Sequence, residues 1–335
     1  MALFTELVRT APLVHPGPGW LDRWSQFKYC VRGLALARLT HELFSTLQTP
    51  KLAEAARRHP RILSKLQRPY LHRKLGPQRR LAALRYHYDF TARQFTTEAI
   101  RELFSPKGFL VAELSLEDAG RFGVRLVYRD EFEKEGELSV VFSDETSGAM
   151  LFSLTFCVMA GEERAPEIFV GGLQGCKVVN QRESVVAVTR AMHGLRPKAL
   201  LVFALQQLAA AWRISAIHAV NNGNHVYRHY RKRRTFAASY DEFWQECGGE
   251  AGAHGMFKLP LEPRWRALEE IRAAKRSMYK RRYAMLQDLA AQIQRSLAAA
   301  APETAAPTQA PAAGKLTVLR SPSAVAAAPA LEWFV

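Results

Sequence analysis

The sequence predicts an α+β protein: a helical N-terminal region, then a mainly antiparallel sheet with a β-α-β unit, then a long C-terminal helix. Three observations point to it. After residue 105 the apolar spacing changes from a period of about 3.6 to one of 2. A nearly all-apolar segment, 197–212, lies between two β-favouring segments. A stretch beginning at residue 263 places apolar residues on one helical face and Lys and Arg on the other.

Residues 20–105 read as several short helices. Apolar residues recur at helical spacing over 20–43, and Pro50 and Pro60 interrupt the next stretch. LQRPYLHRKLG (66–76) is a basic connector bounded by Pro and Gly. In 81–95, Leu81, Leu84, Tyr88 and Phe95 mark one stripe, and 97–104 is a short helix stopped by Pro106-Lys107-Gly108. Alternation then takes over. Phe122, Val124, Leu126 and Tyr128 form one strand face, Leu138, Val140 and Phe142 a second, and Met150 to Val158 the longest. Strands at 109–116 and 167–173 flank them. Such alternation predicts antiparallel strands with one solvated face.

The helix 197–212 opens on Pro197, which suits a first helical turn because the missing N–H has no intrahelical partner there. Strand 167–173, this helix and strand 214–220 make a right-handed crossover between parallel strands. A helix apolar on all sides is buried, so this one lies at the centre of the fold. From 263 to about 297 runs the last helix, with Trp265, Leu268, Ile271, Met278, Met285, Leu289 and Ile293 along one face. Residues 298–330 hold 14 Ala and five Pro, a composition that cannot supply a packed core. The expected divisions are therefore 1–105, a basic helical region; 106–262, the α+β core; 263–297, a basic helix; and 298–335, an Ala/Pro-rich disordered tail ending in LEWFV.

Among 335 residues, 48 % are apolar and 23 % charged, enough to bury a core and unlike a disordered or integral membrane chain. No apolar run reaches the roughly 20 residues a membrane-spanning helix needs. The start, MALFTELVRT, lacks the basic and apolar regions of a signal peptide. Cys30, Cys157, Cys176 and Cys247 are scattered, with no CxxC and no metal-ligand spacing, so a reduced cytoplasmic compartment and no metal are expected. The formal charge is +16, from 47 Lys and Arg against 31 Asp and Glu. It gathers in three places: 13 basic residues within 51–101, RHYRKRR at 228–234, and eight within 264–282. Solvated helix faces, phosphorylated ligands, an anionic membrane surface and nucleic acid all accommodate such clusters. Nucleic acid is the least favoured, since no helix-turn-helix, zinc finger or RNP motif is present.

Two segments carry candidate chemistry. GGLQG (171–175) closes a strand and HGLRPK (193–198) opens the central helix. Gly171, Gly172 and Gly194 allow close backbone approach, Gln174 can hydrogen-bond, and Arg196 and Lys198 add charge at a helix N-terminus. This suits a pyrophosphate or carboxylate; tight turns and a plain helix start explain the same residues. After the second parallel strand comes NNGNHVYRHYRKRR (221–234), where Asn221, Asn222 and Tyr227 stand beyond a strand's carboxyl end, a common place for ligand contact. Capping by Asn and packing by Tyr explain them equally. His193 and His225 can act in acid–base chemistry, or be structural.

LQRPYL (66–71), LRYHY (84–88), FVGGLQG (169–175), HGLRPK (193–198), NHVYR (224–228), YDEFW (240–244) and RRYAML (281–286) occur in the order seen in the bacterial VirK/YbjX family, which the chain resembles over residues 20–290. The resemblance implies outer-envelope remodelling, resistance to cationic antimicrobial peptides and a part in virulence. The core also resembles the GCN5-related N-acyltransferase fold, although the Q/R-x-x-G-x-G/A loop of that fold is absent. That likeness implies coenzyme A or acyl-CoA as cofactor. It places the pyrophosphate at the HGLRPK turn (Gly194, Arg196 and Lys198), cofactor contacts at Asn221 or Asn222, and catalysis at Tyr227. The residue pattern adds Gly171, Gly172 and Gln174 to the pyrophosphate site and His193 as the acid–base candidate. Acyl carrier protein is the partner that an acyltransferase reading adds, and the basic clusters add anionic lipid, with peripheral attachment to the inner membrane. A non-catalytic adaptor and a nucleic-acid-binding regulator are the rival readings.

Overall fold

The computed structural model describes residues 2–117, 119–161, 164–175, 181–229 and 239–302. The tail from 303 onward, Cys176 and the basic run 230–234 with Tyr230 lie outside the described residues. Among the described residues six α-helices precede the sheet: α1 (Ala2–Val14), α2 (Trp20–Ala35), α3 (Ala37–Leu47), α4 (Ala53–Arg58), α5 (Pro77–Gln94) and α6 (Thr97–Leu103). Pro77 opens α5 at the position where a missing N–H is harmless, and Thr96 caps α6 by accepting the Ala99 N–H at 3.2 Å.

Eight strands then form one sheet: β1 (Phe109–Leu116), β2 (Gly120–Val127), β3 (Leu138–Asp144), β4 (Met150–Ala160), β5 (Pro166–Gly175), β6 (Ala216–Val220), β7 (Glu250–Ala251) and β8 (Met256–Leu259). Their order is β1-β2-β3-β4-β5-β6-β8-β7. The β5–β6 pair is parallel and the others antiparallel. The crossover between β5 and β6 carries α7 (Gln181–Ala191) and α8 (Pro197–Ala211). In α8 the side chains of Leu200, Leu201, Ala204, Leu205 and Leu208 are wholly buried, as an all-apolar helix requires.

The expectation of one solvated sheet face does not hold. In β4 every residue from Leu151 to Met159 is buried. Helices cover both sides: Cys157 Sγ meets the Ala83 carbonyl of α5 at 3.9 Å, while Phe156 packs on Trp212 beyond the end of α8 at 6.3 Å. Two of the polar positions that read as solvent-facing satisfy one another instead. Ser139 and Thr155 on adjacent strands share a hydrogen bond of 2.7 Å, both buried.

The last helix, α10, runs Ala273–Ala300, ten residues later than its expected start at 263. Trp265 explains the delay: its ring packs on Tyr283 at 4.9 Å and on Phe203 of α8 at 6.2 Å. The Tyr283 hydroxyl also accepts from the Arg266 N–H at 3.2 Å and donates to the Arg266 carbonyl at 3.0 Å. The segment before α10 therefore folds back along it. Leu286, Leu289, Ile293 and Leu297 form its buried face. Gln292 reaches the edge strand β1, accepting the Glu113 N–H at 2.8 Å and donating to its carbonyl at 3.0 Å. One apolar cluster spans Leu39 to Ala300, and a second, smaller one joins Leu7, Ala11, Val14, Tyr29 and Phe44. Among the described residues no helix is long and apolar enough to cross a membrane.

Candidate functional site

The parallel strands part at their carboxyl ends. Their last aligned pair is Val170 with Ala219; β5 continues to Gly175, whereas the chain leaves the sheet after Val220. Diverging connections at such a point leave a crevice where α/β sheets receive ligands. Here the turn EKEGE (133–137) enters it. A Cβ on Gly171 would stand 2.0 Å from the Glu135 carbonyl oxygen, and one on Gly172 would stand 2.1 Å from Glu135 Oε2. The close backbone approach that these glycines permit is taken by Glu135 itself.

A polar network surrounds that carboxylate. Gln174 donates to Glu135 Oε1 at 2.8 Å and to the Tyr240 hydroxyl at 3.1 Å. Tyr240 opens α9 (Tyr240–Glu246), and its hydroxyl accepts the Leu173 N–H at 3.3 Å and donates to the Leu173 carbonyl at 3.1 Å. Burial, then the Glu135 charge, push its phenol far above the ordinary range, so it stays protonated. His225 Nε2 lies 3.2 Å from Glu135 Oε1, both side chains wholly buried. Its Nδ1 accepts the Tyr227 N–H at 3.3 Å. The imidazole stacks on Tyr240 at 5.3 Å. A buried acid beside a histidine is equipped to receive and pass on a proton.

The flanking glutamates take other partners. Glu137 accepts from Lys65 Nζ at 2.6 Å and from the Tyr88 hydroxyl at 2.5 Å, with the ammonium over the rings of Tyr70 and Tyr128. Glu133 faces Arg68 at 3.4 Å. The buried Lys65–Glu137 pair anchors the turn that presents Glu135.

Tyr227 is half-buried beside the same turn, its hydroxyl donating to the Glu131 carbonyl at 3.5 Å and its ring 5.4 Å from Lys134 Nζ. Asn221 closes the loop by accepting the Asn224 N–H at 2.9 Å. Asn222 ties it to α9, accepting the Tyr240 N–H at 3.0 Å and donating to Ser239 at 3.1 Å. Both asparagines act as loop braces here.

The HGLRPK residues lie elsewhere. Gly194, at φ +78°, ends α7 by donating to the Thr189 carbonyl at 2.7 Å. The His193 carbonyl accepts two bonds from Arg282 of α10, at 3.0 and 2.6 Å. The His193 ring lines a groove of about 850 Å³ with Arg190, Arg281, Glu113 and Asp288. Burial, then the charges of Arg281 and Arg282, hold its pKa below the usual value. Arg196 is exposed and paired with exposed Glu246. Lys198 is half-buried against Phe243 and Phe152, at 5.8 and 5.9 Å, and burial followed by the Arg196 charge lowers its pKa. Ala199 and Leu200 already donate to the Arg196 carbonyl at 2.9 and 3.1 Å.

The candidate residues thus fall into two groups. Gly171, Gly172, Gln174, Asn221, Asn222 and Tyr227 gather where the strands part, while His193, Gly194, Arg196 and Lys198 surround the start of α8. Glu135, His225 as its partner, and Tyr240 were not legible as a site. The available signal was a glutamate at every second position, 133, 135 and 137, immediately before a strand. Among the described residues, no cluster of His, Cys, Asp and Glu is arranged to hold a metal ion.

Comparison with known proteins gives a family match over residues 18–295, to the family described as "Protein of unknown function (DUF535)". The chain is 32 % identical over 292 residues to the uncharacterized protein YbjX of Escherichia coli (strain K12), covering 85 % of this chain and 87 % of that one. It is 37 % identical over 128 residues to an uncharacterized protein of Haemophilus influenzae, covering 38 % and 43 % of the two chains. A further uncharacterized Haemophilus influenzae protein is 30 % identical over 148 residues, covering 44 % and 48 %. No solved structure matches the chain.

Proposed function

This chain belongs to the DUF535 family; we propose that it is an acyltransferase of envelope remodelling, acting in the cytoplasm at the inner membrane surface, with a part in antimicrobial-peptide resistance and virulence. The observation that carries the reading is the buried Glu135–His225 pair where the parallel strands β5 and β6 part.

Coenzyme A or acyl carrier protein would supply an activated acyl thioester. Arg196 and Lys198 suit the phosphate end, being cationic and set at the first turn of α8, where the helix dipole favours an anion. Gly171 and Gly172 do not form a phosphate cradle, because Glu135 fills the space beside them. In this reading Glu135, wholly buried as the turn stands, takes the proton of the attacking hydroxyl or amine when the 133–137 turn opens to substrate, with His225 beside the carboxylate. Tyr227 donates a proton to the departing sulfur. The Tyr240 phenol stays protonated and, with Gln174, holds Glu135 in place.

The test is thermal shift with coenzyme A, acyl-CoAs and acyl carrier protein, then turnover assays. A raised midpoint that Arg196→Ala diminishes, with Glu135→Gln binding normally but failing to turn over, is the expected result. An unshifted midpoint with all of these ligands would refute it.

A second reading, a non-catalytic adaptor for anionic lipid or a protein partner, is favoured by the exposed Lys275, Arg276, Lys280 and Arg281 on α10. An Arg196→Ala variant that still engages anionic vesicles, in a protein inert toward every thioester, would select it.

A further inference from the structure

Helix α2 buries one side and presents the other to solvent. Tyr29 and Gly33 face inward. On the opposite side Trp20, Trp24, Phe27, Val31 and Leu34 recur at alternating steps of four and three residues, and they are 75, 47, 57, 48 and 42 % exposed. Trp20 stacks on Trp24 at 6.4 Å and Trp24 on Phe27 at 5.4 Å, so the apolar groups form a continuous strip. Isolated exposed apolar residues are ordinary, but a strip of this kind marks an interaction surface.

Its borders are basic. By helical geometry Arg23 lies along one side and Lys28 and Arg32 along the other. Lys28 Nζ is 5.8 Å from the Trp24 ring. The acid of this helix, Asp22, accepts the Gly19 N–H at the helix start.

We propose that α2 docks the protein on an anionic lipid surface, with the Trp20–Trp24–Phe27 strip entering the head-group region and Arg23, Lys28 and Arg32 meeting lipid phosphates. Indole rings with flanking Lys and Arg suit a bilayer interface, where an apolar body is buried while cationic tips reach phosphate. A second copy of the chain fits worse, because pairing two such strips would bring their basic borders together. The proposal rests on the peripheral-membrane part of the functional reading and not on acyl transfer. It places attachment on α2, whereas the charge clusters alone would place it on α10.

The experiment is co-sedimentation with phosphatidylglycerol-containing and with purely zwitterionic vesicles. Wild-type protein is expected to bind the anionic vesicles, and brominated lipid to quench its tryptophan fluorescence. Trp20→Ser with Trp24→Ser should weaken partitioning by about tenfold or more, since apolar burial supplies much of interfacial binding. Trp20→Phe with Trp24→Phe should keep binding and lose most of the quenching. Unchanged binding in the serine variant, abolished only by neutralising Lys275, Arg276, Lys280 and Arg281, would overturn the α2 assignment and leave membrane attachment standing. No vesicle binding at all would overturn both, as would a dimer that the serine variant dissolves.

Discussion

Glu135 occupies the space that a side chain on Gly172 would need: a methyl group there would stand 2.1 Å from Glu135 Oε2. The strand glycine and the turn glutamate are thus one steric unit, although 37 residues separate them.

Gly172→Ala should therefore lower stability by about 1–3 kcal/mol, the usual cost of overpacking. The urea midpoint should fall with the slope unchanged. An unaltered midpoint would show that the Glu135 turn yields freely.

Lys65→Met leaves Glu137 buried without its cation. Removing one partner of a buried pair costs about 3–5 kcal/mol. The double variant Lys65→Met with Glu137→Gln should lose clearly less than the sum of the two single losses. Additive losses in the cycle would mean the two side chains, 2.6 Å apart, are not coupled.

His87 gives a pH dependence. Burial, then the Lys65 charge, lower its pKa from 6.5 to about 3, and its Nδ1 accepts the Val158 N–H at 3.1 Å in the neutral form. The unfolded chain binds a proton here at higher pH than the folded one does. The stability contribution is therefore whole above pH 6.5 and is lost as pH falls toward about 3. His72, lowered by burial to about 4, adds in the same direction. The loss should be on the order of a few kcal/mol, and His87→Gln should flatten the unfolding free energy between pH 6.5 and 4. An equally steep profile in that variant would assign the dependence to other groups.

Two arginines near the start of α8 should behave differently. Arg282→Ala removes two charge-assisted bonds to the His193 carbonyl and should cost about 1.5–3 kcal/mol. Arg196→Ala breaks only an exposed ion pair with Glu246 and should cost less than about 1 kcal/mol. Equal midpoint shifts in chemical denaturation would contradict this contrast.

Local pattern was readable wherever one residue's environment decides its neighbour's. The alternation of Phe152, Leu154 and Phe156 marked a strand, and the nearly all-apolar segment through Leu200, Leu205 and Leu208 marked a buried helix between parallel strands. What escaped depends on distant contacts. Ser139 and Thr155 look solvent-facing until each is seen as the other's partner. Trp265 fits a helical stripe until Tyr283 draws it out of the helix. The glycines of GGLQG did signal a close backbone approach, but the approaching group came from Glu135 and not from a phosphate. The partners of the EKEGE carboxylates, Lys65, His225 and Arg68, stand far from them in sequence, and nothing nearby shows that they come to meet.

Gln292 closes the sheet edge at Glu113 from 179 residues downstream. A ribosome adding about 5–20 residues per second would deliver it roughly 10–40 seconds after β1 has been made. Throughout that interval the outer strand offers its main-chain groups to any neighbouring nascent chain. Protein production should therefore depend on translation speed and on chaperones that shield strand edges, and truncations before α10 should accumulate as inclusion bodies.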